Sequence, residues 1–257
     1  MDLKTINQSL STKWWARELL VLPATGSTND DCKSRGKAGA PQGFTLIADT
    51  QTEGRGRYGR KWFSPAGSNI YFSTVLRPNR KLYEIPTVTL TAAVAIHDCL
   101  TQFLPKELLG IKWPNDILGN GKKLAGILTE LFQEPPFLVL GVGLNVNVEE
   151  FPEELQSIAT SVKILLDGKE TSREELFAKL CFNLEKWYEL WTAEGFAPIR
   201  DYWEKNSGMV GRTVKITGKE NVTGMVKGIS ETGGLLVEDQ AGEIREEKGG
   251  EIELLSR

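Results

Sequence analysis

Short apolar runs separated by polar or glycine-rich turns fill residues 44–144, and a longer periodic stretch follows them. Residues 44–49 and 70–76 have the β-branched and aromatic density of strands, with a loop rich in Gly and Arg over 50–67 between them. Upstream, Ser27-Thr28-Asn29-Asp30 precedes a helix-compatible stretch that runs to Arg35 and that Gly36 would end. Residues 86–104 predict a long helix. Residues 111–118 and 123–132 flank Gly119-Asn120-Gly121, and an Asn-Gly turn between two such runs predicts a hairpin. A strand over 137–144 completes a mixed sheet.

Residues 150–206 read as helical, because Leu176, Leu180, Leu184, Trp187 and Trp191 fall on one helix face. After Asn206-Ser207-Gly208 the pattern changes to short β-forming runs over 213–216, 223–229 and 235–237, separated by glycine turns. That change predicts a small closed or partly closed β-barrel. The expected organisation is α+β: a main domain over 1–208 with a mixed sheet flanked by helices, then a small barrel over 209–257.

The 257 residues are 40% hydrophobic and 25% charged, ordinary values for a folded globular chain. With 31 basic against 34 acidic side chains the net charge is −3, which argues against a protein that grips nucleic-acid phosphates along its surface. Cys32, Cys99 and Cys181 are scattered without C-x-x-C spacing, so neither a disulfide framework nor a zinc knuckle is indicated. The single histidine, His97, lies on an apolar helix and reads as a core residue, which disfavours a Ser-His-Asp hydrolase. No repeat of about 20–50 residues is visible. The first 26 residues, with Trp14 and Trp15 expected to pack, are too few for an autonomous DNA-reading headpiece. No apolar run spans a bilayer and no signal pattern opens the chain, so a cytoplasmic protein is expected.

The loop Gln51-Thr-Glu-Gly-Arg-Gly-Arg-Tyr-Gly-Arg-Lys-Trp62 contains G-x-G-x-x-G at Gly54, Gly56 and Gly59. A dinucleotide fingerprint needs a helix directly after the glycines, and here Ser64-Pro65-Ala66-Gly67 and a strand follow. No Gly-Lys-Ser/Thr closes a P-loop. What remains is a flexible backbone carrying four cations and one acid, expected to repel itself until an anion neutralises it: an anion-capturing flap, or else a solvated basic loop. Gln51 at its base can both donate and accept. Ser27-Thr28-Asn29-Asp30 fits a helix capping box, and its hydroxyls and amide equally suit recognition of a small polar ring.

The Asn120-Gly121 turn should bring Lys112, Asp116 and Lys123 together, either as a site or as solubilising edge charges. Gly126, Gly141 and Gly143 interrupt strands, where glycine means that a ligand or another backbone comes close. Asn145 leads off the last strand. The stretch 238–253, with seven acids against two bases, reads as a solvated face of the barrel.

Taken together, Ser27-Thr28-Asn29, Gly54-Arg-Gly-Arg-Tyr-Gly-Arg-Lys-Trp62, Lys112-Trp-Pro-Asn-Asp116, Lys123-Leu-Ala-Gly-Ile127 and Gly141-Val-Gly-Leu-Asn145 resemble the motifs of biotin protein ligases, in order and over most of the chain. The resemblance is to monofunctional members, which lack a DNA-binding domain, and it implies an SH3-like C-terminal barrel. It implies that biotin and MgATP give biotinyl-5′-adenylate, whose acyl group passes to a lysine of a biotin carboxyl carrier domain of a carboxylase. Magnesium would come with ATP and have no dedicated site, and DNA and membranes are not expected partners. Many such relatives form homodimers.

By the same resemblance Ser27, Thr28 and Gln51 hold the ureido ring, with Asn29, Gly126, Gly141 and Gly143 around the biotin, and Arg55, Gly56 and Arg57 close over the acyl-adenylate. Lys123 neutralises the biotin carboxylate and the α-phosphate. Asp116, with Asn115 or Asn145, orients Mg²⁺ or the incoming amine, and Arg60, Trp62 and Lys112 join the nucleotide side. Tyr58 stands where some members have another Arg, and residues 253–257 show no evident match to a basic residue that some members carry there. Lipoate ligases and octanoyltransferases are the nearest alternative, and a non-enzymatic nucleic-acid-binding protein the more distant one.

Overall fold

The computed structural model describes residues 1–134, 136–218 and 221–255; Ser256 and Arg257, at the end compared above with the family's basic residue, lie outside them. A short helix α1 (Leu3–Ser9) precedes β1 (Leu19–Leu22), α2 (Thr28–Lys37), β2 (Thr45–Ala48), β3 (Ile70–Leu76) and α3 (Thr87–Leu100). Then come β4 (Leu109–Lys112), β5 (Asp116–Gly119), β6 (Lys122–Gln133) and β7 (Pro136–Leu144). These seven strands form one sheet in the order β1-β2-β3-β7-β6-β5-β4, parallel between β1 and β2 and antiparallel elsewhere.

The two-residue period of β7 decides what each face does. Leu138, Leu140, Val142 and Leu144 join the main core, which α3 and the long helix α6 (Arg173–Glu194) complete. On the other face Phe137 and Val139 pack with Cys32 of α2, and the next two positions are Gly141 and Gly143. Apolar contact thus anchors α2 at one end of this face, and side chains stop where the glycines begin.

Two local expectations change. The run 111–118 is not one strand: it turns at Trp113-Pro114-Asn115 into the hairpin β4–β5, which sets Lys112 opposite Asp116. Proline has no N–H for a ladder, so the chain reverses there instead of continuing. Gly36 does not end α2 but lies inside it, because any Cβ there would overlap the Phe137 ring. The Asn120-Gly121 turn is as expected, with φ of 48° and 78° joining β5 to β6.

The helical stretch resolves into α4 (Glu153–Gln156), α5 (Val162–Leu165), α6 and α7 (Ala197–Asn206). Trp187 and Trp191 are core residues, and Trp15 is buried with Trp14 packed against it. Beyond α7, strands β8 (Thr213–Thr217), β9 (Val222–Ile229), β10 (Leu235–Glu238), β11 (Ile244–Glu247) and β12 (Glu251–Leu254) make an antiparallel sheet in the order β11-β10-β9-β8-β12. Its Val214, Ile216, Val226 and Val237 join the core of the large sheet. No described helix is long and apolar enough to cross a membrane.

His97 is fully buried, and its Nδ1 lies 3.1 Å from the Tyr202 hydroxyl. Burial, with Lys106 adding a smaller push, lowers its pKa to about 4. The folded value lies below the unfolded one, so this contribution to stability is complete above the unfolded pKa and disappears as pH falls towards 4. The expected loss from this group is about 3 kcal/mol. His97→Gln, which cannot be protonated, should therefore flatten the fall of the urea midpoint between pH 7 and pH 4.5; an equally steep fall would remove His97 as its cause.

Candidate active site

A cavity of about 340 Å³ opens on the glycine face of the sheet. Its floor is bare of Cβ atoms because other side chains lie there. Asn29 sits on Gly141, and the Trp62 indole sits on Gly143, where a Cβ would come within 2.5 Å of the ring nitrogen. The same indole touches the Gly126 position at 3.0 Å. The close approach expected at these strand glycines is real, but it is made by side chains from α2 and the flap.

At one end the polar groups are uncharged. Ser27 occupies the N-cap position of α2 but makes no capping hydrogen bond through its side chain, so the capping-box reading does not hold. Ser27, Thr28 and Gln51 line the cavity instead. The Thr28 amide and hydroxyl both donate to Gln51 Oε1, at 2.9 and 3.1 Å, and Gln51 Nε2 donates to Ser64 Oγ at 3.3 Å. Behind them Ser73, buried on β3, donates towards Thr28 Oγ1 at 2.8 Å and Asn29 Oδ1 at 2.6 Å.

The flap is a small hairpin. Gly56 N–H donates to the Arg60 carbonyl at 2.7 Å and Trp62 N–H to the Gly54 carbonyl at 2.8 Å, with Tyr58 (φ 57°) and Gly59 (φ 72°) at the tip. The expected repulsion among its cations is relieved by the protein's own carboxylates. Arg55 pairs with both oxygens of Asp30 and with Glu130 at 3.5 Å, and Arg60 pairs with Glu251 of β12. The guanidinium beside Asp30 holds that carboxyl below the usual carboxylate range. Arg57 takes a different course, donating to Asn115 Oδ1 at 3.2 Å and to the Tyr58 hydroxyl at 3.1 Å. The acidic stretch 238–253 is thus not wholly a solvated face, since Glu251 reaches the flap.

At the other end the cationic groups converge. Lys123 Nζ lies 2.7 Å from Asp116 Oδ1 and 5.3 Å from the centre of the Trp62 ring. Lys112 lines the cavity beside them, and burial pushes its pKa below the usual lysine value against the opposing pull of Asp116. Asn115 Nδ2 donates to the Ile127 carbonyl at 2.8 Å, which fixes the β4–β5 turn on β6. Asn145 is a buried wall residue: its Nδ2 donates to the Thr160 carbonyl at 3.0 Å, and its Oδ1 accepts from Asn69 at 3.3 Å. Among the described residues no group of three or more His, Cys, Asp or Glu could hold a metal ion.

Every residue to which the resemblance gave a binding or catalytic role lines this one cavity. Sequence reasoning missed Ser73, Ser64, Glu130 and Glu251. Ser73 and Glu130 are polar positions inside the apolar strands β3 and β6, and that irregularity was the available signal. Glu251 had none, because its partner is about 190 residues away.

Residues 21–147 match the Biotin/lipoate A/B protein ligase family, and residues 210–255 match the Biotin protein ligase C terminal domain. The fold and the family match thus define a protein ligase of the biotin/lipoate class. The chain is 36% identical over 255 residues to the bifunctional ligase/repressor BirA of Bacillus spizizenii, covering 97% of this chain and 78% of that protein. It is 36% identical over 231 residues to the biotin–[acetyl-CoA-carboxylase] ligase of Mycobacterium tuberculosis, covering 86% and 84%. In structure it is similar to the biotin protein ligase of Aquifex aeolicus in complex with biotin and ATP, with a TM-score of 0.81, 32% identity and coverage of 93% and 98%. The chain belongs to the biotin protein ligase family.

Proposed function

We propose that this protein joins biotin to ATP as biotinyl-5′-adenylate and transfers the biotinyl group to a lysine of a biotin carboxyl carrier domain, that of an acetyl-CoA carboxylase by analogy with its relatives. The observation that carries this reading is a single cavity with an uncharged donor–acceptor end at Thr28 and Gln51 and a cationic end at Lys112 and Lys123. A neutral cyclic urea suits the first and a carboxylate next to a phosphate suits the second. In the first step a biotin carboxylate oxygen attacks the α-phosphorus and pyrophosphate leaves. In the second the neutral lysine amine attacks the acyl carbon and AMP leaves.

The two reacting anions repel, and fixed cations are what lets them meet. Lys123 is placed to lie between carboxylate and α-phosphate, with Lys112 alongside, while Asp116 keeps the Lys123 ammonium aimed into the cavity. Magnesium would enter on the ATP phosphates, where it supplies charge neutralisation, and Asp116 is the carboxylate on that wall to meet it. Arg57, tied to Asn115, closes the flap over the acyl-adenylate and keeps water away. Arg55, already bonded to two carboxylates, holds the flap's outgoing arm to α2 and β6.

Incubation with biotin, MgATP and a purified biotin carboxyl carrier domain should add one biotinyl mass to the carrier, only when ATP is present. Replacing biotin by lipoate should leave the carrier unmodified, and a preference for lipoate would transfer the assignment to the neighbouring enzyme class.

A further inference from the structure

One chain of hydrogen bonds leaves the flap on its outgoing arm, crosses behind the pocket and returns to the flap. Arg55 Nη2 faces Glu130 Oε2 at 3.5 Å, and the same oxygen accepts from Asn29 Nδ2 at 2.7 Å. Asn29 Oδ1 accepts from Ser73, Ser73 also reaches Thr28 Oγ1, and the Thr28 hydroxyl donates to Gln51. Gln51 then donates to Ser64, whose hydroxyl donates to the Trp62 carbonyl at 3.1 Å on the returning arm.

Two acceptors orient the Asn29 amide. A carboxylate and a carbonyl only accept, so Glu130 at 2.7 Å and the Leu128 carbonyl at 3.4 Å turn the Asn29 amide with Nδ2 outward and Oδ1 towards Ser73, the shorter and charged bond being that to Glu130. Ser73 has one proton and two acceptors in reach. With Oδ1 presented at the shorter distance, the Ser73 hydroxyl is held between Asn29 and Thr28, and Thr28 Oγ1, which has two lone pairs, keeps one of them for an N–H of the bound ring. Without Glu130 only the longer contact to the Leu128 carbonyl holds the amide, and a flipped Asn29 turns Nδ2 towards Ser73, which loses its short acceptor and with it the support that sets the Thr28 hydroxyl towards Gln51 and the ring.

We infer that Glu130 is a positioning residue for biotin recognition: it polarises the Asn29–Ser73–Thr28 relay behind the ring end of the pocket and at the same time anchors the flap through Arg55. The inference rests on the biotin-activating function proposed above. Glu130 does not line the cavity, and its side chain, 30% exposed, has room for replacement.

The test is steady-state adenylation by the full chain with biotin and MgATP, together with the rate at which biotinyl-adenylate escapes. Glu130→Ala should raise the KM for biotin about tenfold, the effect of one lost charge-assisted hydrogen bond, and leave the KM for ATP unchanged. Ser73→Ala in that background should add little, since the relay is already broken. Glu130→Gln, which can still accept from Asn29 but no longer pairs with Arg55, should restore the KM for biotin while still releasing the adenylate faster than wild type.

An unchanged KM for biotin in a folded, active Glu130→Ala protein would overturn the relay alone. So would a rise in both KM values alongside a lower melting temperature, which marks a merely structural residue. A wild-type protein that makes no biotinyl-adenylate overturns the function and the relay together.

Discussion

Lys123→Ala is expected to lower the rate of biotin-dependent ATP–pyrophosphate exchange by about a thousandfold while the protein stays folded. Two unit charges about 4 Å apart interact by about 4 kcal/mol at an effective dielectric of 20, and about 1.4 kcal/mol is a factor of ten. Removing the ammonium between a carboxylate and a phosphate therefore costs about three decades if no other cation replaces it. Lys112 is the nearest candidate, but Asp116 stands opposite it across the β4–β5 hairpin. The loss should fall mainly on kcat, because repulsion is greatest as the attacking oxygen closes on phosphorus. Stability should change little, since the Lys123 side chain is 36% exposed and a pair so open to solvent contributes weakly. Exchange within threefold of wild type, with an unchanged melting temperature, would remove Lys123 from the chemistry.

Local periodicity made part of this fold legible and long-range pairing hid the rest. Strand β3, the Asn120-Gly121 turn and the apolar face of α6 are written within a few residues of themselves, and each is found where the pattern predicts. The reversal at Pro114 was readable in principle, because proline cannot sit in the middle of a ladder. Gly36 was misleading for a reason outside its neighbourhood: Phe137, a hundred residues on, needs the space. Charge was harder still. The flap cations look unpaired in sequence because their partners Asp30, Glu130 and Glu251 come from α2, β6 and β12. Cation density marked the wall of the cavity but not the pairing on it: Arg55 and Lys123 both line the cavity while facing a carboxylate, and Lys112 lines it beside them.

Gly143→Val should lower adenylation by about a hundredfold through packing alone, with no charge altered. On β7 the Gly143 position faces the cavity, and a Cβ built there meets Nε1, Cε2 and Cζ2 of Trp62 at 2.5, 2.6 and 2.9 Å. An indole is a rigid plate and cannot give way by a torsion of its far end, so it must leave the floor as a unit. Overpacking of this kind costs about 1–3 kcal/mol, which corresponds to roughly one to two decades of rate. The displacement would spread along two connections: Lys123 Nζ lies over the Trp62 ring, and Trp62 N–H closes the flap hairpin onto Gly54. Both the cation and the flap would thus lose their placement, and adenylate should escape faster as well as form more slowly. Gly249→Ala provides the control, because a Cβ there meets nothing within 4 Å, and its rates should equal those of wild type. A Gly143→Val protein that adenylates biotin within twofold of wild type would show that the indole on the strand glycines is not what holds the floor of the site.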